Sequence, residues 1–237
     1  MSNIISIKDF TFKYPDSSVN ILENLNLEIK SGEFISIIGS SGCGKTTILR
    51  ILAGLENSSL LQSNNFSTSY MPQKDALLPW RKVIENLMLP LEILGFSKEE
   101  QKSQSEKTLE KLSLLKYKNF YPKGLSGGMR QRVSLGRALI SNSDVFLLDE
   151  PFSALDAITK LEMQEWVKKI FNSLHKTIIL VTHDIEEAMF LSDRIFVVSE
   201  FPIKKFEIYE TKNFQGTLEE KKLKEEILSL VRRYKYE

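Results

Sequence analysis

Apolar and polar positions alternate along residues 4–14 and again along 25–29, the period-two rhythm of strands that bury one face. These segments predict a small edge sheet. Phe34-Ile35-Ser36-Ile37-Ile38 breaks the rhythm. It is an almost continuous apolar run that ends at glycine, the mark of a buried strand feeding a loop. Helical spacing follows over 46–53, where Ile48, Leu49, Leu52 and Ala53 share a face. Leu109, Leu112 and Leu115 predict an amphipathic helix over 97–116, and a further helix is expected from Gly127 to about Ser141. Three solid apolar runs, at 145–148, 176–182 and 195–198, read as strands buried on both faces. Leu218, Leu223, Ile227, Leu228 and Val231 predict a closing helix over 218–235. Strands that alternate with helices imply an α/β fold with a mostly parallel sheet.

At 237 residues, the chain suits one domain, or one domain with a lobed insertion. Its 32 basic and 31 acidic residues nearly cancel, which removes any bulk-charge argument for nucleic acid or anionic lipid. A single cysteine, Cys43, excludes an internal disulfide and fits a reducing compartment. No run approaches the roughly 20 apolar residues that cross a bilayer. The opening MSNIISIKDF has no basic segment followed by an apolar one, so it does not read as a signal peptide. A cytosolic protein is expected, acting at a membrane only through a partner.

Gly39-Ser40-Ser41-Gly42-Cys43-Gly44-Lys45-Thr46 matches G-x-x-x-x-G-K-[ST] between a predicted strand and a predicted helix. Each part has a physical task. Gly39, Gly42 and Gly44 let the backbone wrap with its N–H groups turned inward. The helix that starts near Lys45 aims the positive end of its dipole at phosphates. Lys45 is suited to the β- and γ-phosphates of ATP, and the Thr46 hydroxyl to Mg²⁺. Cys43 reads as a tolerated loop residue, although its place beside a helix start could make the thiol reactive.

Val145-Phe146-Leu147-Leu148-Asp149-Glu150 sets two carboxylates at the end of a buried strand, where ligands bind in open α/β sheets. Asp149 is suited to hold Mg²⁺ and Glu150 to polarise an attacking water. The pair could instead cap the next helix, a reading that Pro151 favours, but the phosphate loop upstream decides for catalysis. His183 follows the strand 176–182 directly and would stand at the same sheet edge as Glu150, able to donate to a γ-phosphate. Gln73, after Tyr70-Met71-Pro72, is similarly placed to touch Mg²⁺ and the water, and gains its meaning only beside the other motifs.

Leu125-Ser126-Gly127-Gly128-Met129-Arg130-Gln131-Arg132 resembles the signature sequence of ABC ATPases almost letter for letter. Ser126 can cap the helix there, and Gly127 and Gly128 expose backbone N–H groups. The resemblance spans about residues 4–200. It implies a P-loop NTPase of the ABC ATPase kind, with a mostly parallel core sheet, a small antiparallel β edge subdomain and an α-helical subdomain inserted at about 78–140. It implies that Tyr14 stacks on adenine and that nucleotide contacts run from Gly39 through Thr47. Gln73 matches the Q-loop glutamine, Ser153-Ala154-Leu155-Asp156 the D-loop, and His183 the switch histidine. It further implies a homodimer in the ATP-bound state, in which Ser126, Gly127 and Gly128 of one copy close over the ATP held by the other. Integral-membrane permease subunits would be the partners, on the inner face of the cell membrane, with no role for nucleic acid.

Leu77-Leu78-Pro79-Trp80, with Val83-Ile84-Glu85-Asn86 and the stretch from Leu191 to Pro202, resembles importer ATPases of the nitrate, sulfonate and taurine group. That group also serves thiamine precursors of the pyrimidine type, and its solute reaches the permease through a substrate-binding protein. Exporters, lipid transporters and soluble ABC ATPases are the alternatives. Trp80, Leu77 and Leu78 suit either a groove for a permease helix or core packing. One departure stands out. Only 18 residues lie between Gly54 and Gln73, and they lack the family's glycine-bearing hairpin. A shortened edge hairpin is expected there.

Overall fold

The computed structural model describes residues 3–56, 66–211 and 218–233. Two antiparallel strands, β1 (Asn3–Phe12) and β2 (Leu22–Lys30), form a sheet of their own. Ile5 faces Ile29 and Ile7 faces Leu27, so the predicted alternation becomes one apolar face. That face packs onto a core cluster shared with the next elements, β3 (Phe34–Ile38) and α1 (Lys45–Leu52).

The chain continues through β4 (Thr68–Met71), α2 (Val83–Ile93), α3 (Lys98–Lys111) and α4 (Gly127–Ile140). It then alternates through β5 (Val145–Asp149), α5 (Ala157–Leu174), β6 (Thr177–Val181), α6 (Ile185–Leu191), β7 (Arg194–Val197), β8 (Glu207–Glu210) and α7 (Leu218–Arg233). The main sheet has six strands in the order β4-β5-β6-β3-β7-β8. All neighbours are parallel except β7 and β8. Strands β3, β5 and β6 are buried at every position, as their nearly continuous apolar runs lead one to expect. The parallel sheet, the small antiparallel sheet and the surrounding helices are the expected fold class.

Helices α2, α3 and α4 pack on one another beside the sheet edge carried by β4. A glycine in α4 permits this: a Cβ on Gly136 would stand 2.6 Å from Leu112 Cδ1 and 3.2 Å from Leu87 Cδ2. The helix expected over 97–116 ends early. It caps at Ser97 with Glu100 closing the capping box, runs only to Lys111, and stops because Ser113 takes φ 58°. That turn folds Leu112 and Leu114 into the core, and a single 3₁₀ turn follows at Leu115–Tyr117. The closing helix α7 is seated as its pattern foretells, with Ile227 fully buried against α6 and β7. Residues 57–65, at the heart of the shortened hairpin expectation, lie outside the described residues, as do 234–237.

Candidate nucleotide site

Three adjacent strands end at the same edge of the sheet, and each delivers chemistry there. β3 runs into the loop 39–44, β5 into Asp149 and Glu150, and β6 into His183. Gly39 cannot carry a side chain, because a Cβ would lie 2.9 Å from both Cys43 Sγ and Val198 Cβ. Gly44 caps α1 at φ 103°, a conformation that L side chains rarely adopt. No side chain caps the first turn of α1, so its N–H groups and dipole are left to an anion.

Lys45 is nearly buried, and its ammonium donates to the carbonyls of Gly39 at 2.9 Å and Ser40 at 2.7 Å. Its Nζ also lies 3.7 Å from Cys43 Sγ. Cys43 itself is 1% exposed, which closes the thiol off from the reactive role that its position had left open. Ser41, Gly42 and Thr46 are exposed along the outer side of the loop, and Ser40 and Gly44 are half-buried. Thr47 points the other way and is buried. Its hydroxyl meets Tyr14 OH at 3.3 Å, while the Tyr14 ring stands edge-on to Phe12 at 5.2 Å. Tyr14 is thereby fixed beside the start of α1.

The Thr46 hydroxyl neighbours the Asp149 carboxyl. Burial raises that carboxyl above its ordinary range and outweighs the lowering effect of the hydroxyl. Tyr70 OH also reaches Asp149 Oδ2, at 3.5 Å. Its own phenol is pushed up to about 12, first by burial and then by the neighbouring carboxylate. Hydroxyl and carboxylate oxygens are hard donors, and Thr46 with Asp149 fits Mg²⁺, a cation that completes its shell with water and phosphate oxygens.

Glu150 is half-buried and sits at φ 46°, a left-handed conformation that costs a non-glycine residue roughly 1 kcal/mol. Gln73 donates from Nε2 to Glu150 Oε2 at 3.0 Å, and His183 Nδ1 lies 3.3 Å from Glu150 Oε1. The three catalytic candidates therefore meet on one carboxylate. The helix-capping alternative for the acid pair fails, since α5 is capped by Asp156, whose side chain accepts from Thr159 N at 3.1 Å.

Ser126 caps α4, its Oγ accepting from Met129 N at 3.3 Å. Ser126 and Gly127 are exposed and Gly128 is half-buried, so the helix tip presents its N–H groups outward. The same helix packs against the Ser153–Asp156 turn. A Cβ on Gly128 would stand 3.2 Å from the Ala154 carbonyl oxygen.

The sequence reading missed several groups that hold this arrangement. Arg130 pairs with Asp75 at 2.7 Å, and Arg137 donates to the carbonyls of Asp75 and Ala76, fixing the segment after Gln73 to α4. Asn86 is fully buried. Its amide donates to the carbonyls of Leu78, Arg81 and Lys82 and its Oδ1 accepts from Leu78 N, which holds out a loop whose Trp80 is 71% exposed. Of the three groove candidates, Leu77 is core, Leu78 is half-buried and Trp80 is surface. Beneath His183, Lys160 binds Asp184 at 2.7 Å and Glu187 at 2.6 Å.

Residues 22–153 match the family model described as ABC transporter. The chain belongs to this family. It is an ABC transporter ATP-binding subunit and an ATPase. It is 37% identical to the formylaminopyrimidine import ATP-binding protein ThiZ of Halalkalibacterium halodurans, over 87% of this chain and 84% of that one. It is 40% identical to the aliphatic sulfonates import ATP-binding protein SsuB 3 of Pseudomonas savastanoi pv. phaseolicola, over 76% of this chain and 68% of that one. Among solved structures it resembles the dimeric post-hydrolysis state of the ATP-binding cassette MJ0796 bound to ADP and Pi. That likeness has a TM-score of 0.76 and 31% identity, and covers 88% of this chain and 99% of that one. Among the described residues, no helix is long and apolar enough to cross a membrane.

Proposed function

We propose that this ABC ATPase energises uptake of a small solute through a separate membrane permease. The observation that carries the catalytic part is the meeting of Gln73 and His183 on the two carboxylate oxygens of Glu150, beside the Lys45–Thr46 turn. Lys45 and the N–H groups of residues 39–46 bind the phosphates of ATP, and Tyr14 stacks on the adenine. Thr46, Asp149 and Gln73 hold Mg²⁺, which supplies charge neutralisation when bound. Glu150 orients the attacking water, and His183 donates to the γ-phosphate.

A second copy completes the site. Its Ser126, Gly127 and Gly128 close on the same phosphates, so ATP holds two copies together and hydrolysis lets them part. The exposed tip of α4 supports this reading, as does the dimeric form of the MJ0796 cassette. Residues 78–140 act as an inserted helical unit that carries this tip. The loop fixed by Asn86 offers Trp80 to a permease helix on the inner face of the membrane. The direction of transport rests on the import ATP-binding proteins it resembles, whose solutes differ, and a substrate-binding protein would deliver the solute.

The test is co-purification with a candidate permease, followed by ATP hydrolysis and solute uptake in proteoliposomes. Hydrolysis without solute entry would refute the importer reading. Loss of both hydrolysis and co-purification would refute the whole assignment.

A further inference from the structure

Gln131 lies inside the signature sequence but cannot reach outward, because its side chain is 4% exposed. It points into the body of its own chain, at the turn that follows β5. Its Nε2 donates to the Glu150 carbonyl at 2.9 Å and to Ser153 Oγ at 3.3 Å. Its Oε1 accepts from Ala154 N at 2.8 Å. Both ends of the amide are thus engaged, and the partners fix which end is nitrogen. Ser153 Oγ closes the ring by donating to the same Glu150 carbonyl at 3.0 Å. The residue so held is Glu150, whose φ of 46° needs its surroundings to keep it there.

We propose that Gln131 is the positioning residue for Glu150, and that it links the two composite ATP sites of the dimer through one helix. The proposal rests on the reading above, in which Glu150 activates water and the α4 tip grips ATP held by the other copy. In that dimer, Ser126–Gly128 of one copy contact one nucleotide, while Glu150 of the same copy serves the other. Gln131 is a single helical turn from Gly128 and bonded to the Glu150 backbone, so a shift of the α4 tip on its nucleotide is delivered to the acid of the opposite site. Ser126–Gly128 sense, Gln131 transmits, and Glu150 responds. Coupling of this kind can be carried by a hydrogen-bonded network, and Gln131 at the middle of this one is buried.

The experiment uses the full chain with its permease and compares Gln131→Leu and the near-isosteric Gln131→Glu with the unaltered protein. In Gln131→Leu, kcat should fall on the order of tenfold, as for loss of a buried hydrogen-bond set, with ATP affinity changed less than about twofold. The Hill coefficient for ATP should fall toward that of independent sites. Mg-ATP should still dimerise Gln131→Leu in a Glu150→Gln background, because the α4 tip is untouched. Gln131→Glu should be impaired at neutral pH and regain kcat as pH falls, since a protonated carboxyl restores a donor to the Glu150 carbonyl. A melting temperature that stays flat over the same pH range separates positioning of Glu150 from a purely structural role. Unchanged kcat and cooperativity in Gln131→Leu, or a Gln131→Glu profile parallel to the unaltered chain, would overturn the proposal. If the unaltered chain with its permease shows no turnover, and Glu150→Gln no ATP-dependent dimer, the underlying assignment falls instead and takes this inference with it.

Discussion

Gln73 and Glu150, 77 positions apart in the chain, meet at 3.0 Å, with the amide of the first donating to the carboxylate of the second. Gln73 follows the edge strand β4 and Glu150 follows its neighbour β5. The parallel register, Met71 beside Leu148, is what brings the two together. The contact joins a segment that leads toward exposed Trp80 to the acid at the centre of the site.

Replacing Glu150 by Gln keeps the shape of this contact but removes the charge. Turnover should drop by roughly a hundredfold or more, the scale of general-base loss, while ATP binding persists. Mg-ATP should then hold the chain as a dimer on size-exclusion chromatography. Normal phosphate release by this variant would remove Glu150 from its role.

Lys45→Ala should weaken ATP binding by roughly ten- to a hundredfold, the equivalent of one charged hydrogen-bond set. Calorimetry on the purified chain measures this directly. The loop keeps the turns that Gly39 and Gly44 permit but loses the two carbonyl bonds from the ammonium. Unaltered affinity would contradict the phosphate-loop assignment.

Asp149 supplies a pH prediction. Burial lifts its folded-state pKa above the unfolded value, so the native state holds that proton more tightly. Its contribution is fully present below the unfolded carboxyl pKa and is lost as pH rises through the folded one. At neutral pH the ionised, buried carboxylate therefore weakens the nucleotide-free fold. Asp149→Asn should raise the melting temperature at neutral pH by about 2–4 °C for each kcal/mol relieved, and the gain should shrink toward acid. Hydrolysis should be lost at the same time. A stability difference independent of pH would refute this account.

Lys160→Met tests the support beneath His183. It leaves Glu187, 4% exposed, with its bond from Thr182 Oγ1 but without a cation. The cost should be about 2 kcal/mol, below that of a fully buried pair because the Lys160 side chain is 25% exposed. Denaturant titrations of the variant beside the unaltered chain measure this loss, and an unchanged midpoint would show that the Lys160 pair contributes nothing.

Much of this could be read from the residues before any coordinates. The phosphate loop, the acid pair and His183 each follow a solid apolar run, and such runs mark central parallel strands whose ends form the site. The α3 boundary was not legible, because Leu112 and Leu115 continue a helical period across a turn that only the φ of Ser113 breaks. β4 and α2 were missed as well, the strand being short and half-buried and the helix carrying Pro90 in its interior. Gln131 carried a usable signal. It shares a helical face with Gly128 and Leu135, and a polar side chain on a buried stripe must find partners. Lys160 and Glu187 gave no such hint, since charges on separate helices look like solvated surface until the fold joins them.

The order of the strands has a consequence for synthesis. β3, which leads into the loop 39–44, lies between β6 and β7 in the main sheet, and both come more than 130 residues later in the chain. A growing polypeptide that has already emerged through the loop, the signature helix and both acids still has no strand to lay beside β3. The power to split ATP is therefore withheld until residues 177–181 arrive and wedge β5 and β3 into one sheet. A chain cut short before that point would carry every motif but one and no working engine.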